Sequence, residues 1–79
     1  MTTDERLLRI FRQTMNHDRL VLADATTAAE VEGWDSLSHV TLMFAIEQEF
    51  NIQFRGEEFS TLDNVGALRS LIKRKLGDR

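Results

Sequence analysis

The chain has no cysteine, no proline and no tyrosine, and only one tryptophan and four glycines. Without cysteine, neither a disulfide nor a thiolate zinc site can staple the fold. Its two separated histidines, His17 and His39, make a poor metal site. No repeat, low-complexity tract or proline-rich linker divides it. The longest apolar run, Leu42 to Ile46, is far too short to span a bilayer. The opening MTTDERLL lacks the basic-then-apolar order of a secretory signal. The expectation is a soluble, cytoplasmic protein with no membrane span.

What is present is 79 residues, 42% of them hydrophobic and 29% charged, a balance that points to a globular chain rather than a disordered one. One domain over residues 1–79 is expected, with no room for a second core. A chain this short buries only about 60% of the surface its unfolded form exposes, so its stability margin is modest. The net charge of −3 is segregated: residues 30–58 hold seven acids against Arg55 alone, and the last stretch is basic. Such blocks are solvated faces or partner surfaces. The basic end, RSLIKRKLGDR, lacks aromatic interleaving. The loop before the second helix is also too long for a helix-turn-helix, so no nucleic-acid partner is expected.

The periodicity predicts helices and no strands. A first helix runs from about Asp4 to Met15, capped by Thr3, with Leu7, Leu8, Phe11 and Met15 on one stripe. A long weakly periodic loop follows from about Asn16 to Trp34, pinned by Leu20, Leu22, Val31 and Trp34. A second helix spans Ser36 to Phe50, with Gly33 permitting a sharp turn before it, Asp35 or Ser36 capping it and Asn51 stopping it. Leu37, Val40, Phe44, Met43, Ile46 and Phe50 form its wide apolar face, and Leu8 and Phe44 are read as core. Ile52 and Phe54 point inward from the next loop. A short helix at about Glu57 to Leu62 precedes a last one capped by Asp63 or Asn64, with Val65, Leu68, Leu71, Ile72 and Leu76 inside and Gly77 at its end. The fold class is therefore all-α: an irregular up-down four-helix bundle with three long helices, one short helix and a long loop between helices one and two.

The chemistry gathers at GWDSLSHVTLMFAIEQEF. Ser36 at the start of an apolar helix has three readings. It can cap the helix, since serine satisfies a free first-turn N–H. It can be a nucleophile, with His39 at i+3 and Asp35 adjacent. That reading suffers because neighbouring Asp35 does not reach the far nitrogen of His39, and the G-x-S-x-G elbow is absent. His39 is then a solvated helix-surface residue or a partner contact. Or Ser36 can carry a phosphodiester, which the free N–H groups and positive dipole end of a helix start tolerate.

GWDSLSHVTLMFAIEQEFNI resembles the phosphopantetheine attachment region of acyl carrier proteins. The FRGEEF turn and NVGALRSLI also fit that family's layout, so the likeness covers nearly the whole chain. It implies that Ser36 receives 4′-phosphopantetheine from coenzyme A, through a phosphopantetheinyl transferase that supplies the catalysis. The chain itself would be no enzyme. The arm would hold acyl groups as thioesters and shuttle them among acyl-loading, condensing or acyl-transferring enzymes of fatty acid, polyketide or related specialised biosynthesis. Asp35 and Leu37 match the residues flanking the attachment serine. Leu37 and Val40 match positions that dock partners, Glu47 matches an acidic helix position, and a monomer is implied. Ser38, Thr41 and Gln48 stand where acids are common in fatty-acid carriers, and Arg55-Gly56 where a proline and an acid are common. This thinner negative surface points to a discrete carrier of a specialised pathway. An aminoacyl or peptidyl carrier is the second subtype, and an unmodified helical interaction module is the alternative outside the family.

Overall fold

Helix α1 spans Thr3–Thr14 in the computed structural model, which describes residues 2–60 and 62–77. Its cap is Thr2, one residue earlier than the expected Thr3. Thr2 Oγ1 accepts the Glu5 N–H at 3.1 Å, and Glu5 Oε1 accepts the Thr2 N–H at 3.2 Å. A cap at Thr3 would have placed Arg6 where this reciprocal box needs an acceptor. Leu7, Ile10, Phe11 and Met15 are buried, whereas Leu8, expected inside, is half-buried. Ile10, three residues after Leu7, takes its place on the inner stripe. Asn16 then adopts a left-handed backbone with φ 54°, which asparagine tolerates, and the chain leaves the helix.

The long loop holds one 3₁₀ turn, Ala28–Glu30, and is fastened at several points. Leu20 and Val31 are buried, and Leu22 and Trp34 pack against the core as expected. Arg12 Nε donates to the Leu20 carbonyl at 2.9 Å. Helix α4, Val65–Gly77, grips the loop through its first amides: Val65 N–H donates to Thr26 O and Gly66 N–H to Asp24 O, each at 2.8 Å. A Cβ on Gly66 would come within 2.9 Å of Asp24 Cβ, so the close approach of loop and helix needs glycine there.

Helix α2 spans Ser36–Phe50, the bounds expected from sequence. Gly33 turns the chain with φ +89°, and Asn51 ends the helix in a left-handed conformation, φ 55°, with its N–H on Glu47 O. Helix α3, Gly56–Ser60, begins one residue before the expected Glu57, and Leu62, the expected end, is not helical. Asn64, not Asp63, starts α4, its Oδ1 accepting the Ala67 N–H at 2.8 Å. Ile52 and Phe54 are buried, as are Val65, Leu68, Leu71 and Ile72.

Helices α1 and α2 pack antiparallel: Arg6 meets Glu49 at one end, and Phe11 meets Trp34 at the other. The described residues contain no strand, and the helices enclose one apolar core. One expectation about that core is overturned. Leu42, Met43, Ile46 and Phe50 form the buried side of α2, while Leu37 is 79% exposed, Val40 59% and Phe44 61%. The helix carries apolar residues on nearly all sides, and α1 and α4 can cover only one strip of it.

The charge blocks are cross-linked rather than left as separate patches. Arg6 bonds Glu49 through Nε at 2.7 Å and grips the Glu49 carbonyl through Nη2, also at 2.7 Å. Arg69 on α4 joins Asp24 of the loop, and its Nε lies 3.0 Å from Asp4 Oδ1, an ion pair without good hydrogen-bond alignment. Lys75 reaches Glu58 at 2.9 Å. Much of the basic tail is thus turned back onto acids of the same chain.

Candidate functional site

The start of α2 is built by Gly33, Asp35 and Ser38. Ser38 N–H donates to Asp35 Oδ1 at 2.9 Å, and Asp35 N–H donates to Ser38 Oγ at 2.8 Å. The Ser38 hydroxyl donates on to the Gly33 carbonyl at 2.6 Å. This settles the choice of cap in favour of Asp35, whose carboxyl lies below its ordinary value, chiefly because the Ser38 N–H donates to its charged form. The Ser36 hydroxyl takes no part in these bonds. Ser36 is exposed on the first helical turn, beside the positive end of a 15-residue helix.

That arrangement does not assemble a hydrolase. Asp35 is committed to the cap, and His39 Nδ1 accepts the Trp34 Nε1–H at 3.0 Å, so the nitrogen that a triad acid would orient is already occupied. Of the two expectations for His39, a solvated surface residue or a partner contact, the first does not hold. His39 is half-buried because the loop brings Trp34 over it, with rings 6.0 Å apart and inclined by 20°. Trp34 is held from below by buried Phe11, edge to face at 5.0 Å. Beside this pair lies an open pocket of about 430 Å³, lined by Ala28, Trp34, Asp35, Ser36 and His39.

On the outer side of α2, Leu37, Val40 and Phe44 follow one another at i, i+3 and i+7, which makes one exposed apolar stripe running from Ser36 down the helix. Thr41 and Gln48 are exposed and neutral on the same helix. Glu47 is placed differently. It is half-buried, and its Oε2 accepts the Phe54 N–H at 2.8 Å, so it fastens the loop after α2. Around the site, the exposure of Phe44 and the Trp34–His39 contact are what reasoning from sequence missed. For Phe44 a signal was available in its i+7 relation to Leu37. For the aromatic pair there was none, because the contact crosses the cap of the helix.

These residues fit a phosphodiester on Ser36: the hydroxyl is free of the cap, open to a donor, and sited where helix-start N–H groups favour negative charge. Comparison with known proteins bears on the family. The family model for the phosphopantetheine attachment site matches residues 5–72. Acyl carrier protein MbtL of Mycobacterium tuberculosis (strain ATCC 25618 / H37Rv) and of Mycobacterium bovis are each 36% identical over 78 residues, spanning 98% of this chain and 92% of theirs. The solution NMR structure of holo acyl carrier protein from Geobacter metallireducens is 40% identical and superposes with a TM-score of 0.89, over 99% of this chain and 90% of that one.

Proposed function

The chain belongs to the acyl carrier protein family, and from that premise we propose that Ser36 is its attachment residue, flanked by Asp35 and Leu37, with Leu37, Val40 and Glu47 meeting partner enzymes. The protein is a carrier and not an enzyme, with 4′-phosphopantetheine covalently attached. When bound, that arm supplies a terminal thiol on which acyl groups travel as thioesters between biosynthetic enzymes. The chain's own residues present the hydroxyl and the surfaces around it. The observation that carries the Ser36 assignment is the Asp35–Ser38 capping box, which leaves the neighbouring hydroxyl exposed and unengaged by the cap.

In the loading step a transferase brings coenzyme A to Ser36. A bond forms between Ser36 Oγ and the phosphorus that carries the pantetheine, the pyrophosphate linkage breaks, and adenosine bisphosphate leaves. The serine proton passes to a base of the transferase. With coenzyme A and a broad-specificity phosphopantetheinyl transferase, the outcome expected in mass spectrometry is that wild type gains one arm and Ser36→Ala gains none. Because Asp35 holds the cap, Ser36→Ala keeps a native circular dichroism spectrum. Folded wild type with unchanged mass would instead leave an unmodified interaction module.

The docking surface is read from exposure. Leu37 and Val40 stand out from the helix, and Phe44 extends their line. With neutral Thr41 and Gln48 nearby, partners meet this face through apolar complementarity more than through paired charge. That favours a specialised pathway over housekeeping fatty acid synthesis. Glu47 adds charge at the flank, and Glu47→Lys slows loading or transfer more at low salt than at high salt. A loss independent of salt would place its role in holding Phe54 instead. The same reading makes the carrier a cytoplasmic monomer, working where coenzyme A is supplied. No helix among the described residues is long and apolar enough to cross a membrane.

A further inference from the structure

Ser38 is neither the attachment residue nor part of the apolar stripe, yet one atom of its side chain holds the backbone on both sides of Trp34. Its Oγ accepts the Asp35 N–H at 2.8 Å and donates to the Gly33 carbonyl at 2.6 Å. We propose that Ser38 is a positioning residue for arm transfer. Its two-way clasp fixes the approach of the chain to Ser36, and with it the direction from which the Ser36 hydroxyl meets the coenzyme A phosphorus. The proposal rests on Ser36 being the attachment residue.

Three observations carry it. The clasp is separate from the cap. The bond that starts α2 runs from the Ser38 main-chain N–H to Asp35 Oδ1, so it belongs to the backbone of residue 38 and outlasts a change of its side chain. What the hydroxyl adds is the path of residues 33–35. That path also needs a restraint. Gly33 has φ +89°, and glycine gives up more backbone freedom than any other residue when held in one conformation. Without the clasp the entry swings about Gly33 and carries Asp35 and Ser36 with it. Finally, the clasp requires a hydroxyl. One oxygen must accept on one side and donate on the other, whereas an ionised carboxylate only accepts and an alkyl group does neither. The Asp35 carbonyl, 3.3 Å from the same Oγ, is a longer second acceptor. Arm transfer needs Ser36 Oγ in line with the phosphorus–oxygen bond that breaks, and orientation of this kind governs rate more than affinity. The apolar stripe is carried by the helix itself, so docking of the transferase is left nearly unchanged.

The test follows initial rates of arm transfer to the apo protein by mass spectrometry, with coenzyme A and a broad-specificity phosphopantetheinyl transferase. The variants are Ser38→Ala, Ser38→Thr and Ser38→Val, the last two alike in shape and stiffness and different in the hydroxyl. Ser38→Ala and Ser38→Val are expected to lower kcat roughly tenfold, as lost alignment does, with KM for the carrier within about twofold of wild type. Ser38→Thr is expected to keep the wild-type kcat. A second readout needs no transferase. In amide hydrogen exchange the Asp35 N–H exchanges faster in the alanine and valine variants than in wild type or the threonine variant, while the Leu42 and Ile46 amides stay protected in all four. Alanine and valine variants at wild-type kcat, a loss confined to KM, or a threonine variant as slow as the valine one overturns the positioning role and leaves Ser36 as the attachment point. Should Ser38→Ala fail to fold, the threonine–valine pair decides. Absence of any mass gain in folded wild type overturns both.

Discussion

Helix α1 has one apolar stripe and a charged back, whereas helix α2 has apolar side chains on nearly every side. In α1 the stripe of Leu7, Ile10, Phe11 and Met15 is buried and Asp4, Glu5 and Arg9 face outward. In α2 the chain had two apolar strips to choose from. It buried Leu42, Met43, Ile46 and Phe50 and left Leu37, Val40 and Phe44 in solvent. Burial of apolar area drives both helices together. The difference is that α1 has only the surface its core needs, while α2 has a surplus, and the surplus begins at the serine. Exposed apolar strips are characteristic of protein contacts, so the strip that stability does not use is the one we propose for partners.

The largest effects should come from the inner sides, where the two helices behave alike. Phe11→Ala in α1 and Ile46→Ala in α2, both at 0% exposure, each cost about 2–5 kcal/mol in denaturant unfolding, from lost transfer energy and the cavity left behind. A near-neutral Ile46→Ala would mean that the buried strip of α2 has been assigned to the wrong side.

The contrast sharpens on the outer side. Phe44→Ala changes stability by no more than about 0.5 kcal/mol, the range of exposed substitutions, yet it lowers the rate at which a loading or transfer enzyme uses the protein. Unfolding curves and kcat/KM measured together check both halves. A Phe44→Ala variant as unstable as Ile46→Ala would contradict the division into two strips.

The smallest effect compares the two helix starts. Glu5 is held below its ordinary value chiefly by the Thr2 N–H, and Asp35 by the Ser38 N–H. Their stabilisation is therefore whole above the ordinary carboxylate range and fades as pH falls through the depressed values. In an acid titration the amide resonances of Thr2 and Ser38 should move with these carboxyls, below the usual carboxylate midpoint. Movement at the ordinary midpoint, or none, would mean that the caps do not hold their charges as described.

The helices were legible where their signals are local. Asn51, Gly33 and the Asp-Ser-Leu start bounded α2 because a left-handed stop, a positive-φ turn and a side-chain cap each act within a few residues. The cap of α1 was misread by one position because the reciprocal partner, Glu5, decides it and Thr3 resembles a cap when considered alone. Ser36 was legible as a candidate, but its freedom depended on whether it or Asp35 made the cap, and sequence left both open.

By itself the sequence determined that the chain is helical, where α2 begins and ends, and that one serine stands at its mouth. These follow from periodicity and capping, whose forces reach no further than a turn of helix. Only the tertiary structure decided which strip of α2 meets the core, that Trp34 closes over His39, and that Gly66 must lie against Asp24. Each depends on what packs opposite: a helix apolar all round gains comparable area from burying either strip, until α1 and α4 occupy one of them.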